Sequence, residues 1–153
     1  MRDTARINRE IMELNREFGN DRVFWPRSLQ WAFVKDWPLP RGLTKAATNV
    51  IIIIPENYGN GGVLRDSFID PDLKALNPAT DDYQEIPHYY KIYPYQQLSL
   101  GTKEEWAEKR WRYICLHEQN MHFSIMRYLI HLYKFLAEPF KDWKGLFNSY
   151  SGR

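Results

Sequence analysis

From Asp3 to Phe18, apolar residues fall at Ile7, Ile11, Leu14 and Phe18, a spacing that lays one apolar stripe along a helix and leaves Arg and Glu on its other side. Asp3 or Thr4 can cap the start of that helix, and Gly19-Asn20 supplies its stop. The pattern then shifts toward a period of two. Val23-Phe24-Trp25 reads as a short strand ended by Pro26, and in Leu29 to Val34 the rings of Trp31 and Phe33 alternate with Gln30 and Ala32. Trp37-Pro38-Leu39-Pro40-Arg41-Gly42 is turn chemistry. Asn49 to Ile54 is β-branched and apolar on both faces, as in a central strand covered on both sides, and Pro55 ends it. After the turn Asn57-Tyr58-Gly59-Asn60-Gly61-Gly62, Ser67-Phe68-Ile69 forms the last short strand before Asp70-Pro71. Short connections of this kind predict an antiparallel meander of four strands, because parallel crossovers need a dozen or more residues.

The pattern weakens from Lys74 to Gly101, where Asn77-Pro78 and Ile86-Pro87 mark loops and the tyrosine-rich stretch His88 to Tyr95 is extended. Thr102-Lys103-Glu104-Glu105 suits the start of a short helix reaching about Arg110. Ser124 to Leu136 gives a second clear helix, stopped or kinked at Pro139, with Phe140 to Arg153 as a tail or short terminal helix. The expectation is an α+β fold in one domain, residues 1–153: an N-terminal helix, a four-stranded antiparallel meander, an irregular segment and a C-terminal helix.

Composition narrows the function classes. Apolar residues make up 44% of the chain and aromatics 16%, enough for one substantial core without staples. The balance of 21 basic against 19 acidic residues is too even to draw nucleic acid or an anionic membrane by bulk charge. The aromatic and basic cluster Trp111-Arg112-Tyr113 is the one feature favouring a nucleic-acid-binding domain. A single cysteine, Cys115, cannot form an internal disulfide, and the charged start Met1 to Arg6 lacks the apolar core of a signal peptide. The longest aliphatic run, Val50 to Ile54, is far too short to span a bilayer. A soluble, cytoplasmic protein with no membrane partner is expected.

Ile114-Cys115-Leu116-His117, followed by Ser124, the helix Ile125 to Leu136 and Glu138-Pro139, resembles the ubiquitin-conjugating enzymes, in which an Ile-Cys-Leu-Asp motif carries the nucleophile. Leu29 to Phe33 is similar to the second strand of that fold, and Val50 to Pro55 with Tyr58 to its strand, proline and tyrosine signature. The stretch from Trp37 to Pro71 is also similar to divergent prokaryotic relatives. The bacterial members it resembles most are encoded with an activating enzyme, a ubiquitin-like protein and a deubiquitinase-like peptidase, often in antiphage defence operons. Three departures stand out: His117 occupies the usual aspartate position, no His-Pro-Asn motif lies shortly before Cys115, and a longer segment separates the last strand from the cysteine.

The resemblance implies a ubiquitin-conjugating-enzyme-like (UBC-like) fold and a transferase. Cys115, in an active-site loop, would accept a ubiquitin-like C-terminus from an activating enzyme as a thioester and pass it to an amine of a target protein. A thiolate suits this work because it leaves as readily as it attacks. The polar run His117 to His122 places Cys115 at a strand-to-loop exit near solvent. His117, two residues on, is the candidate base or thiol activator, and Asn120 and His122 are candidates for the missing oxyanion donor. Each has a plainer alternative: Cys115 as a small buried hydrophobe, His117 as a solvated loop residue. Asp70 and Asp72 are candidates to orient a lysine, or else turn residues. Tyr93-Pro94-Tyr95 and His88 either fold over the site or simply pack, and Arg2, Arg6, Arg9 and Arg16 either dock the activating enzyme or are solvated. Cys115, His117 and His122 make only three clustered zinc ligands with no second cysteine pair, so no metal is expected. A cysteine-protease dyad lacks an orienting partner. Gly59 to Gly62 lacks the Lys-Ser/Thr of a phosphate loop, so no cofactor is implied and ATP chemistry falls to a partner. Two readings stay open, a conjugating enzyme and a non-catalytic module that binds a ubiquitin-like protein.

Overall fold

The computed structural model describes residues 1–91, 111–116 and 124–143. Helix α1 spans Thr4–Phe18; Asp3 is its N-cap, accepting from the Arg6 N–H, and Gly19 ends it with its N–H on the Asn15 carbonyl. Strands β1 (Val23–Phe24), β2 (Trp31–Pro38), β3 (Ala47–Ile53) and β4 (Asp66–Ile69) follow as a consecutive antiparallel meander. A separate hairpin comes next, β5 (Lys74–Asn77) with β6 (Asp82–Glu85). The main sheet is completed by β7 (Tyr90–Lys91) and β8 (Arg112–Cys115), giving six strands in the order β1-β2-β3-β4-β8-β7, and α2 (Ile125–Ala137) follows. The fold class is α+β, with two helices among the described residues. Among those residues no helix is long and apolar enough to cross a membrane.

Side chains alternate across the sheet, so each strand feeds two layers. Ala32, Val34, Val50, Ile52, Ile69 and Ile114 share one core cluster with Ile7, Ile11 and Leu14 of α1 and with Tyr128, Leu129, Leu132 and Phe135 of α2. Their strand neighbours supply the other layer. Phe24, Phe33, Ile51, Phe68, Tyr113 and Tyr90 stand in register as one row across all six strands, and Trp31, Trp111 and Cys115 join the cluster built on it. Its rings meet edge to face or tilted, Phe33 with Trp111 at 6.3 Å and Phe68 with Tyr113 at 5.6 Å. Ile51 in β3 and Phe68 in β4 are fully buried, which accounts for the apolar run on both faces of β3.

The sheet has six strands rather than the expected four, because β8 and β7, each too short to be marked as a strand by period alone, extend the meander beyond β4. Two further regions differ from the sequence reading. Trp37-Pro38 is not a turn but the end of β2, beyond a register shift between Val34 and Trp37. Strand β1 pairs only with Phe33 and Val34, so past the shift no described strand pairs with that edge of β2, where proline is tolerated. The β5–β6 hairpin was read only as loop because its strands are mostly polar and only Ala75 is buried in β5. Its turn is instead written in Asn77, whose carbonyl accepts from Asp81 N–H at 2.8 Å and whose side chain accepts from Ala79 N–H at 3.0 Å. The helix expected at Thr102 to Arg110 lies outside the described residues, as does the chain beyond Trp143.

One buried carboxylate ties the layers together. Glu10 of α1 is 6% exposed. It pairs with Arg6 Nε at 2.7 Å, accepts the Tyr58 hydroxyl at 2.6 Å, and accepts the N–H of Ile125, the first residue of α2, at 2.9 Å. Arg6 also lies over the Tyr58 ring at 4.6 Å. Burial first, and then the bond to Glu10, raise the Tyr58 hydroxyl pKa far above the usual phenol value. Gly59, at φ +86°, packs so close to Asp3 that a Cβ would stand 2.5 Å from the Asp3 Cβ.

Glu10→Ala removes the acceptor shared by the Tyr58 hydroxyl, the Ile125 N–H and Arg6 Nε, and is expected to lower the unfolding free energy by about 3 kcal/mol, read by urea titration. Glu10→Gln is expected to cost less, because its carbonyl still serves Tyr58 and Ile125. A separate pH dependence comes from His88, whose pKa is lowered by burial. The fold then favours the neutral ring, so its contribution is present above the unfolded value of about 6.5 and is lost as pH falls through that value toward the folded one. Asn tolerates the left-handed φ of 58° at this position. His88→Asn is therefore expected to show a shallower loss of urea midpoint between pH 7.5 and 5.5 than the wild type.

Candidate functional site

Strand β8 carries the sequence motif, and its alternation sets which way the cysteine faces. Ile114 and Leu116 point into the helix-facing core, whereas Trp111, Tyr113 and Cys115 belong to the aromatic layer on the opposite side. Cys115 is the last residue of the strand and is 1% exposed. Cys115 does end a strand, as the expected strand-to-loop exit requires, but the expectation that it lies near solvent in an active-site loop is corrected: the thiol is on the strand and buried. The polar run after it suggested exposure, but the period-two apolar pattern Trp111, Tyr113, Cys115 is the stronger signal, and it placed the thiol inside.

The residue directly across from Cys115 is Asp66, the first of β4. Paired residues of an antiparallel ladder share a face with their Cβ atoms about 5 Å apart, so a carboxylate stands beside the thiol. Asp66 is partly exposed, and its Oδ1 accepts the Tyr113 hydroxyl at 2.6 Å. Strands β3 and β4 part at this point, since their last paired residues are Ile52 and Ser67. The gap is a half-open cavity of about 330 Å³ whose walls include Ile53, Pro55, Asn57, Val63 and Asp66. The lining is mixed, with Ile53, Pro55 and Val63 beside Asn57, Arg65 and Asp66, and Asp66 is the carboxylate there that can accept from an amine. Sequence reading missed Asp66; with the pairing register unknown, nothing marked it out from the other acidic residues.

On the far side of the strands, Tyr128 of α2 places its hydroxyl 2.7 Å from the Arg65 carbonyl and 2.9 Å from Ser67 Oγ. Complete burial raises its pKa well above the usual phenol value, so it stays a neutral donor. Ser124 caps α2, accepting from the Arg127 N–H.

Asp70 and Asp72, read as candidates to orient a lysine, sit at the other end of β4. Asp70 is four residues from Asp66, about 13 Å along the strand. Its N–H donates to Thr48 Oγ1 at 3.0 Å, its carbonyl accepts the Tyr89 hydroxyl, and its carboxylate lies 3.7 Å from Lys45. Asp72 has a positive φ of 66°. Both belong to the turn after β4. His88 packs against Tyr90 and against Phe135 of α2. Of the arginines on and before α1, Arg2 donates to the Ile54 carbonyl and Arg6 is held by Glu10, which leaves Arg9 and Arg16 exposed. His117, Asn120, His122, Tyr93, Pro94 and Tyr95 lie outside the described residues. Among the described residues no group of His, Cys, Asp and Glu is gathered as a metal site.

Because the thiol is buried, alkylation of Cys115 by N-ethylmaleimide in native buffer is expected to be at least about a hundredfold slower than in the urea-unfolded chain. A native rate close to the unfolded one would show that the sulphur is open to reagents. No protein-family model, curated protein or solved structure matches the chain.

Proposed function

We propose that the protein is a ubiquitin-conjugating-enzyme-like transferase that carries a ubiquitin-like protein on Cys115. The observation that carries the reading is the pairing of its only thiol with a carboxylate on a cavity wall: Cys115 lies across from Asp66, which lines the opening between β3 and β4. The resemblance of Ile114-Cys115-Leu116 and the helix after it supports the same view.

In the first step the Cys115 sulphur attacks the thioester carbonyl on the activating enzyme. A new C–S bond forms, the old one breaks, and the activating enzyme's thiolate leaves with the electron pair. In the second step an amine nitrogen of the target attacks the same carbonyl, an amide forms, and Cys115 leaves as thiolate while the amine proton is released. Asp66 is assigned to hold the incoming amine, at an opening that Arg65 also lines. His117 as base and Asn120 or His122 as oxyanion donor complete the assignment that the resemblance implies. No ATP step falls on this chain.

A second reading, a binding module for a ubiquitin-like protein without chemistry, is favoured by the 1% exposure of Cys115 within an aromatic cluster. The two separate in one assay. The chain is mixed with the activating enzyme and ubiquitin-like protein of an operon of the kind the resemblance implies, with ATP and magnesium, and its intact mass is followed. The conjugating reading predicts an adduct that thiols reverse, that Cys115→Ala abolishes, and that Cys115→Ser converts at best to a thiol-resistant ester. An activating enzyme that charges itself but passes nothing to Cys115 sinks that reading and leaves the binding module. Asp66→Asn is expected to charge normally and to discharge to free lysine about tenfold more slowly, the loss of one charge-assisted hydrogen bond.

A further inference from the structure

Two hydroxyls on the helix-facing side of the sheet bracket Cys115 from behind. The Tyr128 hydroxyl, in the first turn of α2, reaches the Arg65 carbonyl and Ser67 Oγ. The Arg65 carbonyl also accepts the Leu116 N–H at 2.8 Å, the last bond between the two strands among the described residues, and the Ser67 hydroxyl donates to the Ile114 carbonyl at 3.2 Å. Ile114 and Leu116 are the chain neighbours of Cys115, so these contacts end on the backbone to either side of it. The thiol itself lies on the opposite face, where its partner Asp66 forms part of the wall of the open cavity. Solvent is therefore one residue away. Release of the Asp66–Cys115 pair and of the Leu116 N–H would join the sulphur to that cavity without disturbing the helices.

The geometry points to Tyr128 and Ser67 as a hydroxyl latch that keeps the end of β8 closed on β4 and so sets how often the Cys115 thiol meets solvent. Tyr128 stands one turn from Ile125, whose N–H is fixed by Glu10, so the tether from α1 determines where the latch sits. Removing the Tyr128 hydroxyl leaves the Arg65 carbonyl with the Leu116 N–H and Ser67 with the Ile114 carbonyl, so neither of these two partners loses its last bond. Tyr128→Phe should thus fold and open more easily at the strand end. That the latch governs charging rests on the conjugating reading; that it governs access to the thiol does not.

The test is the rate of Cys115 alkylation by N-ethylmaleimide at low urea concentrations, well below the unfolding transition. The wild-type rate is expected to be nearly flat in urea, the mark of a local opening that exposes little surface. Tyr128→Phe is expected to react about tenfold faster with the same flat dependence, as the loss of a buried hydrogen bond at an opening strand end requires. Ser67→Ala should move the rate in the same direction. Ile11→Val, buried in α1 and not among the groups bonded at the strand end, should lower the urea midpoint and leave the low-urea rate unchanged. The proposal is overturned if Tyr128→Phe reacts no faster than wild type, or if its gain follows the steep urea slope of global unfolding. It is overturned equally if the wild-type rate itself climbs steeply from zero urea. Charging assayed in parallel keeps the two ideas apart, because a wild type that is never charged defeats the carrier role while the alkylation rates alone decide the latch.

Discussion

Glu10 carries its carboxylate to the point where α1, the β3–β4 connection and the first turn of α2 meet, and each supplies it a donor: Arg6, Tyr58 and the Ile125 N–H. A helix begins with backbone N–H groups that have no partner within it, and its N-terminal end attracts negative charge. A carboxylate from another helix answers both needs, provided its own burial is offset by bonds as close as these. The arrangement fixes the start of α2 against α1, and with it the place of Tyr128 beneath β4 and β8. The order at the cysteine end of the sheet therefore depends on a residue more than a hundred positions earlier in the chain.

The sheet sets the other constraint. Strand β8 lies between β4 and β7 and buries side chains on both faces, so a thiol at its end falls among aromatic rings rather than in water. Such a setting protects sulphur from adventitious reagents and also withholds it from a protein-sized donor. A carrier role then requires an opening at the strand end, where Asp66 and the cavity bring solvent to within one residue. A likeness of fold would not by itself establish such a role, since function resides in the site. The acid, the cavity and the bracketed strand end are what give the proposed role physical content here.

Much of the architecture was legible in the chain. The helix with Ile7, Ile11 and Leu14, its cap Asp3, the helix that follows Ser124, the four meander strands and the doubly buried run at β3 all follow from period and turn chemistry, because burial there is decided by local alternation. What was not legible depended on register. Nothing local in the sequence shows that Asp66 pairs with Cys115, that Glu10 reaches the start of α2, or that Arg2 and Arg6 are occupied by Ile54, Glu10 and Tyr58 rather than presented to a partner. Asp70 was a reasonable candidate by sequence distance, yet strand direction puts it at the wrong end of β4. The exposure of Cys115 was misjudged because the polar residues after it outweighed the apolar alternation before it.

The proposed carrier role is tested most directly by isolating the protein from its native cells, quenching in acid without thiols, and mapping modified peptides of the protein and of any activating enzyme present by mass spectrometry. The account predicts a Cys115 peptide bearing the C-terminal residues of the ubiquitin-like protein through a bond that hydroxylamine cleaves. An unmodified Cys115 peptide, recovered while the activating enzyme's own cysteine carries that remnant, would contradict it.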